Sequence, residues 1–297
     1  MRFSLWTSTE SAWPDLLAKV RVAEAAGLDG VWVADHFMPN DRDVSAPMLE
    51  CFSVLAALAA SVPRIRLGSL VAGNTYRHPA VLANIAATID RVSQGRFVLG
   101  VGAGWQLNEH EAYGIELGSV TERIDRFAEA CEVLTGLRDQ ARTSVAGRYY
   151  QLTEAPMEPK ADGALPLLIG SSGPKRMPAL VARFADEWNS WGTPELFAEK
   201  STHISRALDA AGRDPATLQR STQALVFLGP DGAKVAEEFA AIRPAIGGTP
   251  DQLVEAVGRY REAGVDELIF PDFTFGDQSQ ALEVIELLAR DVAGAVR

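Results

Sequence analysis

Short apolar runs alternate with longer amphipathic segments along nearly the whole chain. The apolar runs are rich in Val, Ile, Leu and Phe and seldom alternate with polar residues. That pattern is typical of parallel strands buried on both faces. Eight such runs predict strands at residues 3–6, 30–34, 65–71, 96–101, 165–169, 187–190, 222–228 and 267–270.

Helical periodicity fills most of the intervals between these strands. Proline stands at the first helical position of several segments, where its missing N–H would be unbonded in any case. Thr193 and Thr249 precede two of these prolines and are expected to cap their helices. The predicted helices span residues 15–26, 79–92, 122–137, 174–184, 194–211, 232–240, 250–263 and 278–293.

Two segments of the chain are similar in sequence, which indicates a repeated structural unit. Residues 25–33 (AAGLDGVWV) resemble residues 262–270 (EAGVDELIF), since both run from a helix end through glycine and aspartate into a strand. Eight strands that are each followed by a helix predict a (β/α)8 TIM barrel, formed as one domain by residues 1–297. An open doubly wound sheet is the alternative, but no Gly-x-Gly-x-x-Gly motif follows the first strand.

Three intervals are longer than a strand-to-helix connection needs: residues 38–48, 104–121 and 140–164. The first two follow the C-terminal ends of strands, where TIM barrels hold their functional residues. Within the third, residues 147–152 predict one arm of a β-hairpin. We therefore expect insertion loops to wall a pocket at the C-terminal face of the barrel.

Charge and composition narrow the range of partners. Lys and Arg number 28 against 39 Asp and Glu, a net charge of −11 that argues against nucleic-acid or anionic-membrane binding. No apolar run is long enough to span a membrane. Cys51 and Cys131 lie among apolar residues and are expected to be buried thiols. The N-terminus carries no export signal, so we expect a cytoplasmic location.

The fifth predicted strand is followed by a turn of Gly170, Ser171, Ser172 and Gly173. Such a turn before a helix exposes N–H and hydroxyl donors that attract anions. Lys175 and Arg176 follow, although cations at a helix N-terminus are unfavourable unless an anion is bound there. The residues alone leave two interpretations open: a phosphate site, or a tight turn with cations facing solvent.

Asp35 and His36 end the second predicted strand, where both would face the barrel mouth. A histidine in that position can exchange a proton near neutral pH, and the aspartate would orient it. In the alternative interpretation, His36 bonds a neighbouring loop and Asp35 caps a turn.

The third and fourth strands end in small residues. Gly68 and Gly73 flank Leu70 and Val71 and fit either a bulge or the close approach of a flat ligand. The fourth strand ends in Gly100, Gly102 and Gly104, which would clear space for a large ligand or permit helix packing.

The residues after the fourth strand include candidate ligand contacts and residues that we expect to face solvent. Trp105 offers a flat contact and Asn108 an amide donor, whereas Glu109 and Glu111 are interpreted as a solvated loop. His78, just before Pro79, is expected to be a helix-entry residue. No histidine and carboxylate spacing matches a metal site.

Five segments in this order resemble the bacterial-luciferase-like oxidoreductases, particularly the branch that uses the deazaflavin coenzyme F-420 (F420). The similarity extends over nearly the whole chain. It implies a (β/α)8 barrel, often a homodimer, with a flavin or deazaflavin at its C-terminal mouth. The segments are residues 25–37, 67–83, 95–114, 165–174 and 247–273.

The resemblance also implies roles for particular residues. His36 would lie beside the reactive centre of the ring, and Leu70 and Val71 would form a bulge behind the ring, often with a non-proline cis peptide. Gly104 and Trp105 are further candidate cofactor contacts on the residues alone. The remaining implied cofactor contacts are Asn108 and the turn of Gly170, Ser171, Ser172 and Gly173, with the phosphate at Ser172 and Gly173.

Trp105 departs from part of the family. The deazaflavin-dependent sugar-phosphate dehydrogenases carry a glutamate at that position, so a sugar phosphate is not the expected substrate here.

The resemblance favours an oxidoreductase in which F420 transfers a hydride to or from a small organic substrate and His36 is the proton donor or acceptor. An FMN-dependent monooxygenase of the same fold is the first alternative. A barrel lyase or isomerase acting on a phosphorylated metabolite is the second, with Asp272 as its candidate carboxylate. A non-catalytic cofactor carrier is the third, and the intact pair of Asp35 and His36 argues against it.

Overall fold

In a computed structural model, which describes residues 1–41, 43–240 and 242–297, parallel strands close into a barrel. Their order around the barrel is β3-β2-β1-β8-β7-β6-β5-β4, and β4 pairs with β3 to complete the circle. The predicted TIM barrel is confirmed. The strands are β1 Arg2–Thr7, β2 Gly30–Val33, β3 Arg66–Ser69, β4 Phe97–Gly102, β5 Leu167–Gly170, β6 Glu187–Asn189, β7 Gln219–Gln223 and β8 Glu267–Pro271.

Helices connect the strands and pack around the outside of the barrel. A π-helical turn, Leu288–Ala293, links the last two helices. The helices are α1 Trp13–Ala26, α2 Cys51–Ser61, α3 Pro79–Ser93, α4 Leu107–Tyr113, α5 Val120–Asp139, α6 Met177–Phe184, α7 Pro194–Ala210, α8 Gly232–Phe239, α9 Pro250–Glu262, α10 Gln278–Leu287 and α11 Gly294–Val296.

The seventh strand differs from its prediction. The barrel strand β7 has the polar sequence QRSTQ, and it ends before most of the predicted segment 222–228. The apolar run Leu225–Leu228 instead pairs with Ala245–Gly248 in a separate two-stranded parallel sheet. Polar side chains are tolerated in β7 because they find partners inside the barrel: Asn189 donates to the Ser221 hydroxyl and to the Gln223 side chain, both at 2.9 Å.

A buried carboxylate closes the N-terminal end of the barrel. Glu267 accepts hydrogen bonds from Ser4 at 2.5 Å, from the Trp32 indole at 2.8 Å, and from Arg2 and Arg66 at 3.0 and 3.2 Å. These bonded side chains fill this end of the barrel. An open cavity is therefore left to the C-terminal end.

Local predictions about helix ends are largely confirmed. His78 caps α3 by accepting from the Ala80 N–H, and Thr193 and Thr249 cap α7 and α9 in the same way. Cys51 and Cys131 are fully buried free thiols. Within the described residues, no helix has the length and apolar character that crossing a bilayer requires.

Two predicted boundaries are wrong. The helix after β5 begins at Met177 with Pro178 in its first turn, so Pro174 and the two cations that follow it lie in a turn before the helix. The hairpin consists of Thr143–Ala146 and Gln151–Ala155, so most of residues 147–152 form its turn. The loop 38–48 lies beside the barrel mouth, and its residue 42 is outside the described residues.

Candidate active site

A cavity of about 610 Å³ opens at the C-terminal face of the barrel. Its volume lies within the range of small-molecule and cofactor sites. Ten of the eleven residues proposed from the sequence line this one cavity, and Asn108 is the exception. The ten are Asp35, His36, Leu70, Val71, Gly104, Trp105, Gly170, Ser171, Ser172 and Gly173.

A bulge after β3 forms one wall of the cavity. The peptide between Leu70 and Val71 is cis, as the family resemblance implies, and the chain returns to pair with β4 at Ala72–Gly73. The bulge needs glycine on the neighbouring strands. A Cβ on Gly100 would lie 1.9 Å from the Ser69 carbonyl oxygen, and one on Gly170 would lie 2.9 Å from both Val71 methyl groups. These glycines therefore make room for the protein's own bulge.

His36 is oriented by a buried carboxylate from α4. Its Nδ1 lies 2.8 Å from Glu109 Oε1, while Glu109 Oε2 accepts from the Phe37 N–H at 2.8 Å. The Tyr76 hydroxyl donates to the same Oε1. Trp105 packs edge-on against the imidazole, with ring centroids 5.5 Å apart. The arrangement leaves Nε2 as the imidazole nitrogen available to a ligand.

The interpretation of Glu109 as part of a solvated loop is wrong. Its exposed fraction is 0%, because α4 folds back over the end of β2. Burial acts to raise the pKa of Glu109, but hydrogen bonds from His36, the Phe37 N–H and Tyr76 outweigh it and hold the pKa below its ordinary value. Burial and the adjacent carboxylate raise the pKa of Tyr76, so its hydroxyl remains a donor.

This pKa shift predicts a pH-dependent stability difference for the isosteric variant Glu109→Gln. Because the folded-state pKa is lowered, the stabilisation is complete above the ordinary value of 4.5 and is lost as pH falls through the folded-state pKa. We expect the variant to lose about 1 to 3 kcal/mol of unfolding free energy at pH 7 and progressively less below about pH 4. Urea unfolding at both pH values measures the difference, and a deficit that grows on acidification would contradict the assignment.

Asp35 does not orient His36 in this structure. Its carboxylate accepts from Arg77 at 2.7 and 3.0 Å and from the Gly73 N–H at 3.0 Å. Burial raises the pKa of Asp35, and the hydrogen bond and charge of Arg77 offset part of that effect. Arg77 also binds Glu50 at 2.6 Å. Asp35 thus ties the end of β2 to the bulge.

The Gly/Ser turn has free donors. Ser171 N–H donates to the Asn189 carbonyl at 2.9 Å, whereas the N–H groups of Ser172 and Gly173 have no hydrogen-bond partner in the described part of the chain. Both residues line the cavity beside Arg123. Backbone donors next to a cation form a suitable site for a phosphate.

The cation at this end of the cavity is one that the sequence analysis missed. Arg123, in the first turn of α5, lines the cavity, and its guanidinium has no partner among the described residues. Arg176 instead pairs with Asp125, and Lys175 does not line the cavity. The only sequence signal for Arg123 was its position near the start of α5, the helix that follows the long insertion after β4.

Asn108 lies behind the cavity wall. Its amide donates to the Pro39 carbonyl at 2.9 Å, and its side-chain oxygen accepts from the Glu109 N–H at 2.9 Å. It thereby joins α4 to the loop after β2. A direct cofactor contact by Asn108 stays a prediction from the resemblance.

The arrangement suits an organic cofactor better than a metal. No group of three or more His, Cys, Asp or Glu side chains that could hold a metal ion occurs among the described residues. The bulge offers an apolar wall for a flat ring, His36 lies at that wall, and free donors with Arg123 lie where a charged tail could bind. These residues therefore fit a flavin-type ring with a phosphate-bearing tail.

Known proteins share this chain's sequence and fold. The F420-dependent glucose-6-phosphate dehydrogenase of Microbacterium testaceum is 30% identical over 98% of this chain and 97% of the relative. The F420-dependent hydroxymycolic acid dehydrogenase of Mycobacterium tuberculosis is 31% identical over 73% of this chain and 60% of the relative.

Solved structures show the same fold at lower identity. An F420-dependent secondary alcohol dehydrogenase in complex with an F420-acetone adduct superposes with a TM-score of 0.88 at 21% identity, covering 100% of this chain and 99% of the other. The monooxygenase RslO1 from Streptomyces bottropensis gives 0.83 at 21% identity and covers both chains fully, at 100%. The model of the luciferase-like monooxygenase family matches residues 1–247. The chain therefore belongs to the luciferase-like monooxygenase family.

Proposed function

We propose that the protein is an F420-dependent oxidoreductase acting on a small organic substrate. The observation that carries the proposal is that one cavity is lined by Leu70 and Val71 of the bulge, by the donors Ser172 and Gly173, and by His36. The two relatives described above are named as F420-dependent dehydrogenases, which supports the deazaflavin over FMN. When bound, the deazaflavin supplies hydride chemistry.

His36 is the residue that moves the proton accompanying hydride transfer. Glu109 is held ionised by its hydrogen bonds and accepts from Nδ1, so the imidazole keeps its second nitrogen for the substrate. This division of roles resembles other histidines that a buried carboxylate holds in one tautomer. Tyr76 fixes the carboxylate in turn.

The residues at the other end of the cavity bind the charged tail. Ser172 and Gly173 donate backbone hydrogen bonds to a phosphate, and Arg123 supplies the positive charge. The overall charge of −11 makes these local donors necessary for an anionic cofactor.

Replacing Arg123 with glutamine should weaken F420 binding about tenfold, the equivalent of one charge-assisted hydrogen bond of about 1.4 kcal/mol. Quenching of F420 fluorescence during titration measures the dissociation constant. Arg126→Gln is the matched control, because Arg126 lies on the same helix but packs over the Tyr149 ring and does not line the cavity. Equal losses in both variants would contradict the assignment of the tail to Arg123.

The lyase or isomerase alternative depended on Asp272 as its catalytic carboxylate, and the contacts of Asp272 argue against that role. Asp272 is buried and accepts from the Thr7 hydroxyl at 3.1 Å and the Ser8 N–H at 3.0 Å, and it pairs with Lys19. A carboxylate bound in this way is poorly placed to act as a general base.

We further infer that residues 1–297 act as one barrel domain, because β8 pairs with both β1 and β7. A cytoplasmic location and a homodimer stay predictions from the sequence and the family resemblance.

A further inference from the structure

A second cavity meets the first one at His36. Its volume is about 620 Å³, and Trp6, His36, Trp105 and Arg243 line both cavities. The rest of its wall comes mostly from the segments that follow β1, β2 and β8, together with Gln106, and includes neither the bulge nor the Gly/Ser turn. A molecule in this second cavity would reach His36 while the first cavity stays filled.

We propose that the second cavity binds the substrate, and that it selects an uncharged alcohol or carbonyl compound with an apolar body over a phosphorylated or carboxylated one. The inference rests on the proposed function and adds the substrate class to it.

The charge of the wall is the first argument. Among the described residues, four carboxylates line the second cavity against two cations, Lys19 and Arg243. A phosphate or carboxylate entering this space would meet net negative charge, which disfavours anionic substrates. The carboxylates are those of Glu10, Asp15, Asp272 and Asp277.

Neither cation is positioned to reverse this preference deep in the cavity. The Lys19 ammonium is buried, pairs with Asp272, and donates to the Ser11 hydroxyl at 2.9 Å. Arg243 lies where the two cavities meet, with its guanidinium 5.1 Å from the centre of the Trp191 ring. An anion bound beyond that point has no unpaired cation within the described wall.

Aromatic side chains around His36 provide the apolar contact. Trp105 is 55% exposed and Phe273 is 49% exposed, which is unusual for rings of this size. Phe273 packs edge-on against Trp6 with ring centroids 5.2 Å apart, and Trp105 packs against His36. An apolar substrate body would cover these rings as it reaches the imidazole.

The test compares matched pairs of substrates on the F420-loaded protein. Each pair is an apolar secondary alcohol and its carboxylated counterpart, for example 1-phenylethanol and its para-carboxylate, with cyclohexanol and 2-decanol as further scaffolds. We expect kcat/KM for the uncharged member to exceed that of the anion at least tenfold, and glucose 6-phosphate to rank with the anions. Binding of the corresponding ketones, followed by tryptophan fluorescence, gives a readout independent of turnover.

Variants of the second cavity test its apolar contact and its negative charge separately. Phe273→Ala should weaken ketone binding about tenfold while the F420 dissociation constant stays within about twofold, because Phe273 lines only the second cavity. Asp277→Asn together with Glu10→Gln should reduce the discrimination against the anionic alcohol by about three- to tenfold.

Each outcome has a defined meaning. F420 binding combined with equal or better use of the anionic alcohols, or with no binding of any uncharged ketone, overturns the substrate class alone. Unchanged ketone binding by Phe273→Ala overturns the assignment of the second cavity. Failure to bind F420 overturns the proposed function, and this inference with it.

Discussion

Replacing His36 with alanine should lower kcat by about 10²- to 10⁴-fold, the usual contribution of a general acid or base. The F420 dissociation constant should stay within about twofold, because the tail site that we propose is formed by Ser172, Gly173 and Arg123, which line the same cavity but do not include His36. Steady-state kinetics and F420 fluorescence titration on the same preparation measure the two quantities separately.

His78→Asn is the matched control for this experiment. His78 is also a histidine at the C-terminal side of the barrel, but it caps α3 and lines neither of the two cavities. Asparagine retains the cap, so turnover should be unchanged. If the His36→Ala variant kept full turnover, His36 would not be the residue that transfers the proton.

The second large effect concerns stability. Arg77→Met should cost about 3 to 5 kcal/mol of unfolding free energy, because it leaves the Asp35 carboxylate buried without its counter-ion. The side chain of Asp35 is 0% exposed and that of Arg77 is 15% exposed, so solvent can replace little of the pairing. Chemical denaturation of both proteins measures the difference.

Two companion variants identify the cause of that loss. Arg91→Met removes a surface pair whose partners are 45% and 43% exposed, and it should cost no more than about 1 kcal/mol. Adding Asp35→Asn to Arg77→Met removes the stranded charge and should recover at least half of the loss. A cost under about 1 kcal/mol for Arg77→Met would show that the buried pair does not hold the bulge.

The same variants separate a structural from a catalytic Asp35. We expect Asp35→Asn to retain kcat within about tenfold once saturated with F420. A loss of kcat as large as that expected for His36→Ala would indicate that Asp35 takes part in proton transfer.

The barrel was predictable because its signals are local. Each signal depends on a few neighbouring residues. The signals are the apolar runs, the prolines that begin helices, and the similarity between residues 25–33 and 262–270. The misplaced strand, β7, is polar because its side chains bond to Asn189 of the neighbouring strand β6. A search for apolar runs cannot find such a strand.

The site was predictable where a motif fixes the backbone, and less so where residues distant in sequence meet. The glycines in two short segments suggested a bulge and an anion-binding turn, and the family resemblance chose these interpretations over their alternatives. The contact between His36 and Glu109 joins residues 73 positions apart, and nothing near Glu109 distinguishes it from the solvated Glu111. Arg123 was missed for the same reason. Its guanidinium, which has no partner in the part of the chain that the structure describes, can be recognised only once α5 is placed beside the turn.

Titration of the purified protein with F420 and, separately, with FMN tests the central claim most directly. The account predicts saturable quenching of F420 fluorescence that weakens in Arg123→Gln, with no saturable binding of FMN over the same concentrations. Tight FMN binding without F420 binding would contradict it and would favour the monooxygenase.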